Sequence, residues 1–146
     1  MNAPVLWIAI PAFVSLFLFL IKHKKSRELI YIFSSAAFLI LTLFIKIDSL
    51  DSESIFSLEI SSTLNILGRS FILHEEDKFL IQLIYLINIV WGTAILLFKK
   101  QSLIIPFGLI FSAFLLAAVS VEPFLYSALI IEIAVILSIP LIMAFL

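Results

Sequence analysis

The feature that most constrains this chain is a series of long apolar runs without a charged residue. Such runs cover residues 5–21, 29–45, 79–98 and 101–121, and each ends at a charged residue. A fifth run starts at Pro123 and stays apolar to the last residue except for Glu132. Because a transmembrane helix needs about 20 predominantly apolar residues, each run predicts one membrane span.

We therefore predict an all-α integral membrane protein with about five transmembrane helices in a single membrane domain, residues 1–146. The predicted helices cover about 4–22, 28–46, 79–98, 101–121 and 123–146. The composition agrees, since 64% of the residues are hydrophobic and 13% are charged, against roughly 25% charged residues in ordinary soluble domains. Five spans leave no room for a separate soluble domain. The absence of cysteine excludes disulfides, zinc–thiolate sites and a cysteine nucleophile.

One long polar segment, residues 47–78, separates the second and third predicted helices. Residues 56–60 alternate apolar and polar side chains, which is typical of a short strand. A second short strand is predicted at residues 70–73, directly after Gly68 and Arg69. We expect this pair to form a small hairpin or two edge strands at the membrane surface.

The positive charges predict the orientation in the membrane. Lysine and arginine cluster in residues 22–27 and again at Lys99 and Lys100, and short loops rich in these residues stay on the cytoplasmic side. Five crossings then place the N-terminus, the polar segment and Glu122 outside and the C-terminus in the cytoplasm.

Pro11 lies inside the first apolar run. Proline lacks the N–H that would bond to the carbonyl four residues earlier, so a local kink is expected. Membrane helices tolerate this loss when a neighbouring helix or a hydroxyl group satisfies the freed carbonyl.

Glu132 is the principal candidate for a functional site. It follows Pro123 by nine residues and so lies roughly 13 Å along its helix, near the midplane of a hydrocarbon core about 30 Å thick. A carboxylate costs a few kcal/mol at that depth, and such residues generally face a bundle interior or hydrated cavity and mark ion paths or proton relays. The alternative is a structural carboxylic acid held neutral by hydrogen bonds between helices.

Other polar residues are weaker candidates. Asn88 and Gln82, in the third predicted helix, could line a polar path, although membrane helices often use such side chains only for helix contacts. His74, beside three acidic residues, could belong to a metal site. A single histidine among acids is a weak signal, and a solvated surface cluster is the favoured interpretation.

Two stretches together resemble a known family. These are LGRSFILHEEDKFLIQLIYL, residues 67–86, and VEPFLYSALIIEIAVILSIPL, residues 121–141. They are similar to the N-terminal part of the antiporter-like membrane subunits of proton-pumping NADH-quinone oxidoreductase (complex I), a family shared with Mrp-type cation/proton antiporters and membrane-bound hydrogenases. Ile131 replaces the aromatic residue that usually precedes the family's glutamate, and the loop after the third helix is unusually short.

The resemblance implies a function for Glu132. In the family, the matching glutamate pairs with a lysine on a later helix and takes part in proton transfer. The expected partners are other membrane subunits of such an oxidoreductase or antiporter complex and the lipid bilayer, without nucleic acid. No cofactor is expected, because NADH, flavin and iron–sulfur centres belong to other subunits. The implied location is the inner membrane of a bacterial or archaeal cell.

The resemblance covers this whole chain but only about the first third of a typical family member. The chain ends before the helices that carry the family's partner lysine and central relay, so it is not expected to be catalytic alone. We expect either a fragment or split subunit whose other helices come from another chain, or a structural or assembly subunit without ion translocation of its own.

Overall fold

The structure, a computed structural model, describes residues 2–47, 59–66, 68–98 and 105–143. Within them lie five α-helices: α1 (Ile10–Leu20), α2 (Lys24–Phe44), α3 (Lys78–Phe98), α4 (Ile105–Ser120) and α5 (Leu125–Met143). A π-helical turn at Val5–Ala9 leads into α1, and a 3₁₀ turn at Glu75–Asp77 leads into α3. The five helices coincide with the five apolar runs, so the prediction of a mostly helical chain is confirmed.

The helix ends differ from the predicted ones. Helix α2 begins at Lys24, four residues earlier than predicted, because charged residues end an apolar run without ending a helix, and lysine and arginine are good helix formers. Helix α2 also ends before Lys46, and α4 ends before Val121, because both residues belong to short strands.

Two of the helical segments, Lys24–Phe44 and Glu75–Leu97, are long and apolar enough to cross a membrane. Three further apolar segments are shorter: Val5–Leu20, Ile105–Ser120 and Leu125–Ile139. In the described part of the chain, two of the five predicted spans therefore have the full length required for a crossing.

Among the described residues, five short strands form two small sheets. Strand β1 (Lys46–Ile47) pairs in parallel with β2 (Glu59–Ile60). The second sheet is antiparallel, with the order β3 (Thr63–Ile66), β4 (Arg69–Ile72), β5 (Val121–Glu122). Gly68, in the tight turn between β3 and β4, has a φ of +73°, a conformation that glycine adopts without a steric penalty.

The polar segment contains short strands and a hairpin, as predicted, but the strands at Glu59–Ile60 and Arg69–Ile72 do not pair with each other. Residues 56–58 lie outside the described residues, and Glu59–Ile60 pairs with the chain just after α2. The hairpin partner of β4 is instead Thr63–Ile66, and β4 is the central strand of its sheet. A two-residue loop containing Gly68 closes this hairpin, and such short loops favour pairing of the strands directly on either side of them.

These strands gather several distant parts of the chain at one end of the helix bundle. The Asn2 side chain donates to the carbonyl of Thr63 (2.8 Å), and the Ala3 N–H donates to the carbonyl of Ser61 (2.8 Å). Glu75 accepts a bond from the Ile47 N–H (2.8 Å) and another from Lys78 Nζ (2.5 Å). The N-terminus, the polar segment and the α4–α5 connection thus share one end, as alternating helices require.

Helix α4 occupies the centre of the bundle and contacts α1, α2, α3 and α5, while α2 also packs along α3. Its buried residues lie on several sides, in keeping with this central position. The fully buried side chains around it include Trp7, Leu18, Tyr31, Tyr85, Ile105, Leu109 and Leu116.

The outer surface of the bundle is apolar, whereas several of its buried side chains are polar. Large hydrophobic side chains are more than two-thirds exposed on four of the helices or next to them: Phe13, Leu20, Phe33, Phe79, Leu97, Phe124 and Leu125. The buried polar residues include Ser15, Ser35, Thr42, Asn88, Ser112 and Ser127. Polar residues are mostly exposed in proteins folded in water. Here the exposed helix faces are largely apolar, and the interior combines these polar residues with a larger set of buried apolar ones.

Candidate functional site

The first polar contact inside the bundle involves the proline of α1. Pro11 has no N–H to donate to the carbonyl of Trp7, four residues earlier. The hydroxyl of Tyr85, on α3, donates to that carbonyl instead, at 3.1 Å. Both Trp7 and Tyr85 are fully buried. A hydroxyl from a neighbouring helix thus satisfies the carbonyl that Pro11 leaves without its usual donor.

A second contact joins three helices through a chain of hydrogen bonds, which we name the polar junction. The hydroxyl of Tyr31, on α2, donates to Asn88 Oδ1 on α3 (3.0 Å). Asn88 Nδ2 donates to Ser112 Oγ on α4 (2.7 Å), and Ser112 Oγ donates to the carbonyl of Gly108, one turn earlier (2.9 Å). The side chains of Tyr31, Asn88 and Ser112 are all buried.

Two glycines make room for Tyr31 in the polar junction. A Cβ atom added at Gly108 would lie 2.3 Å from the Tyr31 hydroxyl oxygen, and one added at Gly92 would lie 2.8 Å from the Tyr31 ring. Real Cβ atoms essentially never approach so closely. A side chain at either position would collide with Tyr31 unless one of them moved. This steric fit accounts for glycine at both positions, although a helix interior otherwise disfavours this residue.

The chemistry of the polar junction is that of a helix contact. A phenol, an amide and an aliphatic hydroxyl are neutral near pH 7, and each partner is satisfied by a neighbour. Asn88 therefore bridges helices, one of the two functions considered for it. Gln82, the other residue considered, is half-buried on α3. It precedes Asn88 by six residues, roughly 120° away around the helix, and does not belong to the junction.

Glu132 lies on the exposed side of α5. This helix packs on α4, and its buried residues Ser127 and Ala134 define the packed side. At about 100° per residue, Glu132 is roughly 140° around the helix from Ser127. Its side chain is exposed, as are those of Leu129, Val135 and Ile136. In this chain Glu132 does not point into the helix bundle, but lies on an apolar outer face.

The beginning of α5 is fixed to the hairpin. Arg69, on β4, donates a hydrogen bond to the hydroxyl of Tyr126, and its guanidinium carbon lies 3.7 Å from the centre of the Tyr126 ring. Strand β5, just before α5, pairs with β4. The first turn of α5 is thus held in place at one end of the bundle, while the outer face of the helix beyond it stays open.

Two charged residues missed by the sequence interpretation are buried at the other end of the bundle. Arg27 is 6% exposed and Glu28 is 4% exposed, although Arg27 belongs to the basic segment, residues 22–27, and Glu28 directly follows it. Their position on the first turns of α2 turns them towards the neighbouring helices, whereas Lys22, Lys24 and Lys25 remain exposed. The sequence of a charged cluster does not by itself show which of its side chains are buried in the bundle.

The acidic residues that follow His74 form the 3₁₀ turn that leads into α3. The His74 N–H donates to Asp77 Oδ2 (2.8 Å), and the Asp77 N–H donates to the His74 carbonyl (3.1 Å). These reciprocal bonds satisfy backbone groups at the helix start. Among the residues that the structure describes, no group of three or more histidine, cysteine, aspartate or glutamate residues is arranged to hold a metal ion.

Comparisons with known protein families, with curated proteins and with solved structures found no match for this chain.

Proposed function

We propose that this chain is an integral membrane subunit of a larger membrane assembly, and that Glu132 is a protonatable site where α5 meets a partner subunit. The observation that carries this proposal is the position of Glu132 on an exposed and otherwise apolar face of α5.

The distribution of side chains supports a lipid environment. Large exposed apolar patches mark surfaces that contact other proteins or a membrane, and here they surround the bundle. The buried hydroxyls of Ser15, Thr42 and Ser112 and the amide of Asn88 find partners within the chain, as hydrocarbon surroundings require. The two long segments, Lys24–Phe44 and Glu75–Leu97, have the length of membrane spans.

The position of Glu132 supports a partner subunit. A carboxylate facing lipid near the bilayer midplane is costly, and acidic residues in spans almost always face protein or water. The packed side of α5 is turned away from Glu132, so a partner polypeptide on this face would shield the carboxylate from lipid. A cationic or hydrogen-bonding group on that polypeptide would compensate for the burial of the carboxylate.

The resemblance noted above gives the class of assembly. We propose the membrane arm of a proton- or cation-translocating NADH-quinone oxidoreductase or an Mrp-type antiporter, located in the inner membrane of a bacterial or archaeal cell. In this assignment Glu132 changes its protonation state as ions pass, and its partner group belongs to another chain.

Labelling of single cysteines tests membrane insertion and orientation. The chain contains no cysteine, so Asn65→Cys and Lys22→Cys each introduce one exposed thiol, at opposite ends of the bundle. We expect a membrane-impermeant maleimide added to intact cells to label the first variant, and to label the second only after permeabilisation. Labelling of both variants from the same side would reject a membrane crossing between these two positions.

Replacement of Glu132 tests the functional part of the proposal. In Glu132→Gln, the assembly isolated from native membranes should keep its subunits, and proton transport into vesicles should fall by at least tenfold, because an amide does not titrate. Glu122→Gln, the same chemical change at an exposed position at the end of the bundle, should leave transport unchanged. Normal assembly with normal transport in Glu132→Gln would reject a function for this carboxylate in ion transfer.

The second candidate is a structural or assembly subunit without ion-translocating activity. The neutral and fully satisfied polar junction favours it, because this part of the interior holds helices together and has no titratable carboxylate or amine. This alternative predicts that Glu132→Gln leaves proton transport intact, whereas disruption of the junction at Asn88 reduces the amount of assembled complex.

A further inference from the structure

A small pocket lies where the first turns of α2 meet the last turns of α3. Its volume is about 330 Å³, and it is lined by Lys24, Lys25, Glu28, Leu29 and Leu96. It lies at the opposite end of the bundle from the hairpin and apart from Glu132. The lining combines two cations and a carboxylate with two apolar side chains, a combination that neither the polar junction nor the proposed α5 interface uses.

Glu28 is the unusual member of this lining. Its side chain is 5% exposed, yet its Oε1 atom accepts no hydrogen bond. Lys24 Nζ forms an ion pair with this oxygen at 4.0 Å, a separation beyond hydrogen-bonding distance. A buried carboxylate oxygen without a hydrogen-bond donor is costly in free energy. A ligand that donates a hydrogen bond to Glu28 would therefore be favoured at this wall of the pocket.

The rest of the pocket has the opposite charge preference. Lys24 and Lys25 are exposed in the first turn of α2, where the free N–H groups of the helix also favour an anion. Leu29 is 60% exposed and Leu96 is 39% exposed, so both offer apolar surface beside the charges. A ligand that matches all of these groups carries an ammonium, a phosphate and a hydrocarbon chain.

We propose that this pocket binds the head group of an aminophospholipid of the phosphatidylethanolamine type. The primary ammonium donates to Glu28, the phosphate binds Lys24 and Lys25, and an acyl chain lies along Leu29 and Leu96. The inference rests on the proposed membrane location, because the two leucines must face lipid. A choline head group fits less well, since its quaternary ammonium has no N–H to donate. A glycerol head group lacks the cation altogether.

Native mass spectrometry of the full chain, delipidated in a non-ionic detergent, tests this site. Three lipids with the same acyl chains are compared: phosphatidylethanolamine, phosphatidylcholine and phosphatidylglycerol. We expect the first to bind about tenfold more tightly than the second, the difference that one charge-assisted hydrogen bond can supply. Equal binding of all three lipids would overturn the proposal.

Three variants separate the contributions of the ammonium and the phosphate. Glu28→Gln keeps an acceptor oxygen but loses the charge, so it should reduce the preference for ethanolamine over choline. Lys25→Gln should weaken the binding of phosphatidylethanolamine and of phosphatidylglycerol alike by roughly fivefold. Lys22→Gln removes the same charge from an exposed residue outside the pocket lining and should change neither affinity. Lys25 is exposed, so its variant remains informative even if Glu28→Gln fails to fold. Equal losses in Lys22→Gln and Lys25→Gln would overturn the proposal.

Free phosphoethanolamine separates a lipid site from a site for a soluble zwitterion. It lacks the acyl chain that contacts Leu29 and Leu96, so it should bind at least tenfold more weakly than the lipid. Binding as tight as that of the lipid would overturn the assignment to a membrane lipid. Membrane insertion is measured separately by the cysteine labelling described above. Correct labelling together with unselective lipid binding would reject this site and leave the proposed function in place.

Discussion

The contact between α2 and α3 and the contact between α4 and α5 are built in different ways. Tyr31 of α2 lies against Gly92 of α3 and donates to Asn88, so steric fit and hydrogen bonding both define that contact. Helix α5 instead turns the small residues Ser127 and Ala134 towards α4 and leaves most of its large side chains exposed. The first contact is defined by specific side-chain fit and hydrogen bonds, whereas the second leaves the outer face of α5 exposed, the face on which we propose a partner subunit.

The largest effect is expected where steric fit is tightest. Gly108→Ala places a Cβ atom 2.3 Å from the Tyr31 hydroxyl oxygen, so Tyr31 or α4 has to move. Overpacking of this kind costs about 1–3 kcal/mol in the free energy of unfolding. Denaturant titration of the detergent-solubilised chain, followed by circular dichroism, measures it.

A second substitution tests whether the Tyr31 hydroxyl causes the loss of stability in Gly108→Ala. Tyr31→Phe removes the nearest atom, so the double variant Tyr31→Phe, Gly108→Ala should lose less stability than the sum of the two single variants. Strict additivity would contradict the close contact between these residues.

An intermediate effect is expected when the hydrogen bonds of the polar junction are removed. Asn88→Leu keeps a similar size but leaves the Tyr31 hydroxyl without its acceptor and Ser112 without its donor. The free energy of unfolding should fall by about 1–2 kcal/mol. Gln82→Leu, on the same helix but outside the junction, is the matched control and should change stability by less than about 0.5 kcal/mol. Equal losses in the free energy of unfolding from the two substitutions would show that the hydrogen bonds of Asn88 add nothing to stability.

The smallest effect on the isolated chain is expected on α5. Ile136 is 63% exposed, so Ile136→Ala should change the free energy of unfolding by no more than about 0.5 kcal/mol. The same substitution should reduce recovery of partner subunits when the tagged chain is isolated from native membranes. A loss of 2 kcal/mol or more in the isolated chain would mean that the outer face of α5 is already packed, and the contrast between the two contacts would disappear.

The positions of the helices along the chain could be predicted because their signal is local. An apolar run long enough to form a helix is visible in the sequence itself, and so is the carbonyl that Pro11 leaves without a donor. The two-residue strands β1 and β5 could not be predicted, because only their partners, β2 and β4, define them. Arg27 and Glu28 were missed for a similar reason, since burial depends on which helix faces them.

The candidate site shows the same limit. The depth of Glu132 follows from counting residues along α5, whereas its direction depends on which side of that helix packs on α4. Ser127 and Ala134 are small and lie on the side of α5 opposite Glu132. Their size is the feature of the sequence that indicates the packed side. Likewise, the sequence displays Gly92 and Gly108 but does not show that both adjoin one tyrosine ring far away in the chain.

The bond between Tyr85 and the backbone beside Pro11 also has a consequence for the order of events during synthesis. The Trp7 carbonyl and its donor are 78 residues apart, so at about 5–20 residues per second the donor is made roughly 4–16 s after the acceptor. During that interval the turn before α1 has a backbone acceptor whose final partner does not yet exist. The first helix of this chain therefore reaches its final hydrogen bonding only after the third helix has been made.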